Sequence, residues 1–270
     1  MEDYTEILEL AKEAARKAGD FVHEARGQGL HIDAKSRIDF VSDKDRMSED
    51  MIRAAIREKF PSHLFFGEES VYGETLDDEM RQIEDFKDED YIWVVDPIDG
   101  TVNYIHDYSM YAISIAVVHH RRIVVGVIYD AFRRELFYAQ EGKGAFMNGK
   151  PIRVSSAEQA AEGIVSTSMP TFSMEVRQKM VEKIPAVANG FQSMRIWNCA
   201  AVSLASVACG RIDANYESGI HIWDMAAGVI IVREAGGTVT QLTGEPYILT
   251  QMDVLATNGH FHEEAVKILN

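Results

Sequence analysis

Two carboxylates at the end of an apolar run are the residues of this chain best suited to chemistry. Residues 91–95 (Tyr-Ile-Trp-Val-Val) have the β-branched and aromatic content of a buried strand, and Asp96 and Asp99 follow directly. Pro97 lacks an N–H group and is expected to end the strand's hydrogen bonding. Because buried carboxylates are costly unless a positive group neutralises them, the pair indicates a bound cation.

A short helical pattern follows this strand and would supply a phosphate-binding end. Residues 101–104 (Thr-Val-Asn-Tyr) predict a helix that begins after Gly100, and the free N–H groups of its first turn would face the two carboxylates. A helix N-terminus attracts anions, and phosphate most readily. The segment therefore predicts a metal-dependent phosphate site.

Two further acidic residues stand beside predicted strands or helices. Glu68 follows a short predicted strand, and Asp224 opens a helix predicted near residues 223–235. Taken alone, Glu68 is better explained as an exposed turn residue and Asp224 as a helix N-cap. Asp96 and Asp99 have a simpler explanation too, an N-cap beside a turn residue, but the apolar strand before them indicates depth.

The ligand chemistry of these carboxylates points to a particular class of cation. All are hard oxygen ligands, which favour Mg²⁺ or Mn²⁺ over Zn²⁺. Two such ions about 4 Å apart would clamp the attacking and leaving oxygens of an in-line phosphoryl displacement and acidify a bound water. The nearby His106 and His221 are better explained as residues of the pocket wall or as hydrogen-bonding residues than as catalytic groups. The sequence lacks a P-loop, a dinucleotide fingerprint, a serine nucleophile elbow and an H-E-x-x-H motif.

Composition bounds the class of protein. The 270 residues are 46% hydrophobic and 26% charged, as in ordinary globular proteins, and the formal net charge of −16 disfavours nucleic acid and anionic membranes as partners. No apolar run approaches the roughly 20 residues of a membrane span. The acidic residues 1–4 do not resemble a signal peptide, and Cys199 and Cys209 suggest no disulfide framework, so we expect a cytoplasmic location. Acidic clusters at 74–79 and 85–90 are expected to form a solvated loop and helix face.

The periodicity predicts helices and strands in two halves. Residues 1–155 should hold helices followed by a mostly antiparallel sheet with an Asn-Gly hairpin at 148–149, and residues 156–270 should alternate strands and helices in α/β layers. We expect an extensive interface between the halves, with the site between them. The predicted strands cover residues 63–66, 91–95, 111–118, 123–129, 135–139, 163–167, 212–216, 237–241 and 254–257, and the predicted helices cover 3–26, 45–59, 173–184, 198–209, 223–235 and 260–269.

The motifs taken together are similar to those of a known family. The 96–106 segment, Asp-Pro-Ile-Asp-Gly-Thr-Val-Asn-Tyr-Ile-His, is followed much later by the pair Trp223-Asp224. By these residues the chain resembles the inositol monophosphatase family, the Mg²⁺-dependent, lithium-sensitive phosphomonoesterases, over nearly its whole length. Further matching segments cover residues 39–45, 67–70, 126–130, 142–149 and 216–224.

The resemblance implies a fold, an assembly and a metal requirement. The fold would be α/β with α+β character, a layered α-β-α-β-α sandwich of the inositol monophosphatase/fructose-1,6-bisphosphatase type, assembled as a homodimer. Two to three Mg²⁺ ions would bind, with Mn²⁺ as a substitute. Carried over by position, the first metal would bind Glu68, Asp96 and the Ile98 carbonyl, the second would bind Asp96, Asp99 and Asp224, and a weaker third ion would lie near Glu68.

The resemblance also implies roles in binding phosphate and directing water. The backbone amides of Gly100 and Thr101 would hold the phosphate, in agreement with the helix argument. The Thr101 hydroxyl, paired with Asp45 and assisted by Glu68, would orient the attacking water, and no covalent intermediate would form. The second metal and a water near Asp224 would stabilise and protonate the departing alkoxide.

The leaving-group side of the site departs from the family pattern. Residues 195–200 are Arg-Ile-Trp-Asn-Cys-Ala, where the family usually has Arg-x-x-Gly-Ser/Thr-Ala. Asn198 can adopt the left-handed backbone that glycine often supplies, but the Cys199 thiol is a weaker hydrogen-bond partner than a hydroxyl. The expected substrate contacts are Cys199, Ala200, Asp224 and Glu217, the last at the position that reads sugar-ring hydroxyls in inositol-specific members.

The expected substrate is a small phosphorylated polyol or sugar, with inositol 1-phosphate as the leading candidate. A relative that acts on NADP(H), fructose 1,6-bisphosphate or histidinol phosphate is the alternative with the same chemistry. A function of another class is that of a partner-binding regulatory protein with incidental phosphatase activity, since some bacterial members of the family have a second role in transcription complexes.

Overall fold

The helices and strands begin and end close to where the apolar periodicity places them. The structure, a computed structural model, describes residues 2–27, 31–34, 40–71, 76–170 and 173–270. Its helices are α1 (Thr5–Ala25), α2 (Asp43–Lys59), α3 (Leu76–Asp85), α4 (Thr101–Ile105), α5 (Met174–Gly190), α6 (Ala200–Ala208), α7 (Ile222–Glu234) and α8 (His262–Leu269). Its strands are β1 (Ile32–Ala34), β2 (Phe40–Ser42), β3 (Leu64–Gly67), β4 (Ile92–Asp99), β5 (Ala112–His119), β6 (Arg122–Asp130), β7 (Glu135–Gln140), β8 (Ala145–Met147), β9 (Lys150–Pro151), β10 (Ile164–Thr167), β11 (Ser193–Ile196), β12 (Ala214–Ser218), β13 (Thr238–Thr240) and β14 (Asp253–Thr257).

Two mixed sheets are built from the larger strands. The first has the order β3-β4-β5-β6-β7-β8-β9, with β3 parallel to β4 and the later pairs antiparallel. Asn148 and Gly149 join β8 to β9 with φ of 49° and 81°, which confirms the predicted Asn-Gly hairpin. The second sheet has the order β11-β10-β12-β14-β13, in which β10 runs parallel to β11 and β12.

Helices cover both sheets, and the alternating side chains of β4 show how. Trp93 and Val95 pack in the cluster with α1 and α2, whereas Ile92 and Val94 pack in the cluster with α6 and α7. Helices α6 and α7 lie between the sheets, and α5 and α8 pack on the outer face of the second sheet. The predicted layered α-β-α-β-α sandwich is therefore confirmed.

The strand that carries the central carboxylates continues further than predicted. Strand β4 runs through Pro97 to Asp99, so Pro97 interrupts the pairing with β5, as expected, but does not end the strand. The pairing register with β5 shifts between Asp96 and Asp99, so the ladder is irregular where the proline lacks a donor. The Ser48 hydroxyl of α2 donates to the Pro97 carbonyl (3.0 Å), which holds this irregularity in place.

Some described elements lie outside the sequence predictions. Strands β1, β2 and β11 are not foreseen, and α3 forms within and beyond the first acidic cluster. Residues 39 and 74–75, which belong to a family-like motif and to that cluster, lie outside the described residues. Within the described part of the chain, no helix is long and apolar enough to span a membrane. The division into halves at residue 155 stays a prediction.

Candidate active site

Three carboxylates from two elements meet at the end of β4. Asp96 and Asp99 come from the irregular end of this strand, and Asp224 comes from the first turn of α7, which packs on the same sheet. One carboxylate oxygen of each residue lies within 4.8 Å of the other two. Asp96 and Asp99 are buried, and Asp224 is partly exposed to a cleft. The residues that were predicted to hold the second metal therefore lie together.

A backbone N–H group and a thiol fix the Asp99 carboxylate. The Ala201 N–H group, in the first turn of α6, donates to Asp99 Oδ2 (2.6 Å), and the Cys199 thiol donates to the same oxygen (3.2 Å). Burial, followed by the charge of Asp99, raises the pKa of the Cys199 thiol, so the thiol keeps its proton and acts as a donor. The unusual cysteine thus holds a carboxylate of the site.

Asp96 and Asp224 are fixed in the same manner by local backbone groups. The Ile98 N–H group donates to Asp96 Oδ1 (2.9 Å), which stabilises the turn in β4. The His221 N–H group donates to Asp224 Oδ2 (2.8 Å) at the start of α7. Each carboxylate therefore has a defined orientation and keeps oxygen lone pairs for a further partner.

The electrostatics of this cluster fit a divalent cation. Burial, and then the charges of Glu68 and the other two aspartates, raise the pKa of Asp96. Burial and the charge of Asp224 raise the pKa of Asp99, and burial raises the pKa of Asp224 to about 6. Among the described residues, no lysine or arginine forms an ion pair with any of the three. An oxygen-only donor set without a lysine or arginine partner is the kind that Mg²⁺ or Mn²⁺ prefers.

Glu68 reaches the same cleft from the neighbouring strand. Because β3 is parallel to β4, the 3₁₀ turn Glu68–Ser70 lies at the same end of the sheet as Asp96. The buried Glu49 of α2 holds this turn by accepting the Glu69 N–H (2.8 Å) and the Ser70 hydroxyl (2.6 Å). Sequence reasoning missed Glu49, whose signal is a carboxylate among the buried positions of α2.

The Thr101 hydroxyl lies between two oxygens. Its Oγ1 is 3.0 Å from Asp45 Oδ1 and 2.9 Å from the Ile98 carbonyl oxygen. The other Asp45 oxygen accepts the Ser42 N–H (2.9 Å) and hydroxyl (2.5 Å), which fixes the carboxylate at the start of α2. Burial, and then the charge of Glu68, raise the pKa of Asp45 to about 6, so it is ionised and accepts hydrogen bonds at neutral pH.

Two residues with left-handed backbone shape the cleft. Gly100 has a φ of 90°, and a Cβ there would lie 2.6 Å from the Met110 carbonyl oxygen, so glycine is required. Asn198 has a φ of 50°, as predicted, and its side-chain carbonyl accepts the Met169 N–H (2.9 Å). Both lie next to the backbone that would contact a phosphate ester.

The predicted site residues are divided between the wall of one cleft and positions directly behind it. Asp45, Cys199 and Glu217 do not line the cleft, and each hydrogen-bonds to a residue that does. Asp45 contacts Thr101, and Cys199 contacts Asp99. The predicted residues that line the cleft are Glu68, Asp96, Ile98, Asp99, Gly100, Thr101, Ala200 and Asp224.

Glu217 lies behind Ser168 rather than at the surface of the cleft. It is only 1% exposed, and its carboxylate accepts the Ser168 N–H (2.8 Å), the Ser168 hydroxyl (3.1 Å) and the Asn215 amide (2.9 Å). Burial, opposed by the Asn215 hydrogen bond, raises the pKa of Glu217 to about 7. Sequence reasoning missed Ser168, because only the pairing of β10 with β12 brings it to Glu217.

A buried acid from the first acidic cluster supports His221. Glu79 is buried, and its Oε2 lies 2.7 Å from His221 Nδ1, so the prediction that this whole cluster is solvated is wrong. Burial lowers the pKa of His221, but the Glu79 hydrogen bond and the charge of Asp224 outweigh it, so the pKa is raised. His221 lines the cleft, whereas His106 is exposed at the end of α4.

The fold and the cleft define a layered α/β protein whose converging carboxylates suit divalent cations, and comparison with known proteins identifies the family. The family model described as "Inositol monophosphatase family" matches residues 3–270. Inositol monophosphatase 3 of Solanum lycopersicum is 36% identical over 274 residues, covering 98% of this chain and 97% of that protein. The Nus factor SuhB of Pseudomonas aeruginosa is 34% identical over 261 residues, covering 93% and 91%. The crystal structure of the extragenic suppressor protein suhB from Bartonella henselae has a TM-score of 0.87 at 33% identity and covers 98% of each chain.

The chain belongs to the inositol monophosphatase family. This membership indicates a metal-dependent phosphatase that acts on a small phosphorylated substrate, and the acidic cluster of the cleft is a group that could bind the metal. The family resemblance found from the motifs is therefore confirmed.

Proposed function

We propose that this chain is a Mg²⁺-dependent phosphomonoesterase whose leading substrate is inositol 1-phosphate. The observation that carries the proposal is the meeting of Asp96, Asp99 and Asp224 within 4.8 Å at the wall of a cleft. Carboxylates in such a cluster repel one another. A bound divalent cation would neutralise their charge and relieve the repulsion, which favours metal binding. A cytoplasmic location, a homodimeric assembly and sensitivity to lithium belong to the same proposal.

The metal ligands are assigned by position and by what each side chain reaches. Glu68, Asp96 and the Ile98 carbonyl would hold the first ion, and Asp96, Asp99 and Asp224 would hold the second, with a weaker third ion near Glu68. When bound, the ions would neutralise the cluster, acidify a water molecule and stabilise the charge of the leaving oxygen. The protein contributes a rigid frame, because backbone N–H groups orient all three aspartates.

Thr101 and Asp45 would direct the attacking water. The ionised Asp45 accepts a hydrogen bond from the Thr101 hydroxyl, so the lone pairs of the Thr101 oxygen are left to accept a hydrogen bond from water. Glu68 would assist from the turn that follows the neighbouring strand β3. The water oxygen would bond to phosphorus and lose one proton to solvent, and the ester P–O bond would break. The departing alkoxide would take a proton from a water near Asp224, which gives the free alcohol and inorganic phosphate. The backbone amides of Gly100 and Thr101 would hold the phosphate oxygens.

The leaving-group pocket is proposed to lie on the side of Ser168, Asn198 and Ala200. Ser168 lines the cleft, and its hydroxyl and N–H group are both held by the Glu217 carboxylate. Glu217 would therefore act through Ser168, whose hydroxyl oxygen would contact a ring hydroxyl of the substrate. Cys199 would act through Asp99, whose carboxylate it contacts.

Phosphate release by chelator-stripped protein, with saturating Mg²⁺ restored, tests this substrate assignment. The panel holds inositol 1-phosphate, 2′-AMP, NADP⁺, fructose 1,6-bisphosphate and histidinol phosphate, and Mn²⁺ replaces Mg²⁺ in a parallel series. The proposal expects the highest kcat/KM for inositol 1-phosphate and retained activity with Mn²⁺. A clear preference for another member of the panel would refute the substrate while keeping the chemistry.

A partner-binding role is the second candidate, favoured by similarity to a relative named Nus factor SuhB. In that case a stoichiometric protein partner would copurify with the chain, and the Asp96→Asn variant would keep the partner while losing phosphatase activity. The enzyme proposal expects Asp96→Asn to lose activity and expects no stoichiometric partner in either preparation.

A further inference from the structure

A second group of metal-ligand side chains lies at the other end of the first sheet. One ligand atom each of Glu2, His119 and His120 lies within 4.8 Å of the other two. Strand β5 begins at Ala112, which pairs with Asp99 of the cleft, and ends at His119. Eight residues of strand separate the two places by roughly 23 Å, so this group is independent of the candidate active site.

The hydrogen bonds of His119 determine which ring nitrogen faces Glu2. His119 Nδ1 is 3.2 Å from the Asp90 carbonyl oxygen, which can only accept, so Nδ1 carries the proton. His119 Nε2 is 3.2 Å from Glu2 Oε2, which as a carboxylate oxygen is also only an acceptor. A neutral imidazole would place its lone pair against the carboxylate. Either a proton on Nε2 or a bound cation would supply the positive charge that this contact favours.

His120 repeats this arrangement on the other oxygen of the same carboxylate. Its Nδ1 is 3.0 Å from Asp88 Oδ2, and its Nε2 is 3.9 Å from Glu2 Oε1. Two protonated rings would satisfy both contacts, but the ring centroids are only 3.9 Å apart and His119 is buried, so the two positive rings would repel each other. One divalent cation satisfies both rings and the carboxylate together.

The backbone is held in an uncommon conformation that brings the two rings to one side. Neighbouring side chains of a strand point to opposite faces, but His120 and Arg121 have φ of 49° and 57° and form the two-residue turn between β5 and β6. Such turns are usually made by Asn-Gly, so His-Arg is strained here. The Arg121 guanidinium donates to the Phe86 carbonyl (2.7 Å), which anchors the turn to the segment after α3.

The surroundings match those of a transition-metal site. Bonds of about 2.0–2.2 Å in a tetrahedron place ligand atoms about 3.4 Å apart, close to the 3.2 Å between His119 Nε2 and Glu2 Oε2. The 3.9 Å contact of His120 is made to the other oxygen of the same carboxylate. The Nδ1 partners of both histidines fix their tautomers, and the Tyr4 hydroxyl donates to Glu2 Oε2 (2.8 Å). A cleft of about 590 Å³ lined by Glu2, Tyr4, His120, Arg122 and Glu141 gives water access to a fourth position.

We propose that Glu2, His119 and His120 bind one divalent transition-metal ion, with Zn²⁺ as the preferred occupant. Two imidazole nitrogens and one carboxylate are a donor set that binds Zn²⁺ in preference to Mg²⁺. The ion links residue 2, just before α1, to the turn that ends β5. It therefore stabilises the attachment of the N-terminal segment to the sheet, and it takes no part in the chemistry of the cleft.

Metal titration of the full chain in saturating Mg²⁺ tests this proposal, because under the proposed function Mg²⁺ would compete for the carboxylate cleft. Equilibrium dialysis with Zn²⁺ is expected to give one ion per chain, and Co²⁺ is expected to give the visible absorption of a tetrahedral complex. The variants Glu2→Gln and His120→Ala should each weaken binding at least tenfold. The Glu2 and His120 side chains are 54% and 38% exposed, so these replacements do not disturb the core.

Matched controls separate this site from others. His260→Ala removes an exposed histidine outside the group and should leave the Zn²⁺ affinity unchanged. In a separate measurement, Zn²⁺ should raise the Tm of the parent but not that of His120→Ala. Phosphate release with Mg²⁺ should be equal in all of these variants. Absence of Zn²⁺ binding, or binding that survives both Glu2→Gln and His120→Ala, would overturn the proposal.

Discussion

Asp224 is expected to destabilise the metal-free protein, so its removal should increase stability while abolishing activity. In the variant Asp224→Asn the amide oxygen can still accept the His221 N–H, and the amide NH₂ can donate to Asp96 in place of the hydrogen bond between the two carboxyl groups. The variant keeps the local hydrogen bonds and loses one negative charge from the cluster.

The magnitude follows from the pKa of Asp224. Its pKa is about 6 in the folded chain against an ordinary value of 3.8, so the folded state holds the proton more tightly than the unfolded chain. The stability linked to this proton is complete below pH 3.8 and is lost as the pH rises towards 6. The difference corresponds to about 3 kcal/mol above pH 6, or about 6 °C in Tm for a chain of this size.

Urea unfolding in the presence of a chelator, at pH 4 and pH 7.5, measures this effect. Metal-free Asp224→Asn should exceed the metal-free parent by about 3 kcal/mol at pH 7.5 and by little at pH 4. Added Mg²⁺ should stabilise the parent and have a smaller effect on the variant. A metal-free variant that is less stable than the parent at pH 7.5 would refute the reasoning.

Three further substitutions test the frame of the cleft. Thr101→Val removes the hydroxyl beside Asp45 and should lower kcat for phosphate release by about 10²-fold with little change in KM. Gly100→Ala imposes a side chain on a residue with φ of 90°, where a Cβ would lie 2.6 Å from a carbonyl oxygen, and should lower the free energy of unfolding in urea by about 2 kcal/mol. Glu79→Ala removes the 2.7 Å hydrogen bond to His221 and should lower the free energy of unfolding by about 1.5 kcal/mol.

Each of these predictions has a matched control. Thr101→Ser keeps the hydroxyl and should retain most of the activity. Gly149→Ala has a similar φ of 81° but no atom within 4 Å of the added Cβ, so it should cost less than Gly100→Ala. Glu84→Ala changes an exposed acid of the same helix as Glu79 and should be nearly neutral. Equal effects of test and control variants would contradict the argument in each case.

The sequence predicts the elements that carry the site better than it predicts the contacts between those elements. The strand before Asp96 and the start of α7 near Asp224 can both be predicted, since periodicity and capping are local properties. That these two residues meet within 4.8 Å was implied only by the family resemblance, because nothing local links positions more than a hundred residues apart. The register shift in β4, which lets the strand pass through Pro97, depends on pairing with β5.

Residues that act from behind the cleft were the hardest to foresee. Glu79 lies in a run of acids that looks solvated, and only the packing of α3 buries it against His221. Glu49 holds the turn that carries Glu68, yet in the sequence it is one more acid of an amphipathic helix. The position of Glu217 behind Ser168 depends on how neighbouring strands pair, which a single sequence does not encode locally.

The dependence of phosphate release on Mg²⁺ concentration tests the central claim most directly. Chelator-stripped parent and Asp96→Asn proteins would be titrated with Mg²⁺ while the initial rate on inositol 1-phosphate is followed. The account predicts no rate without metal, a saturable rise in the parent, and almost no rise in the variant, because Asp96 is the carboxylate assigned to both ions. A metal-independent rate in the parent, or an equal rise in Asp96→Asn, would contradict the account.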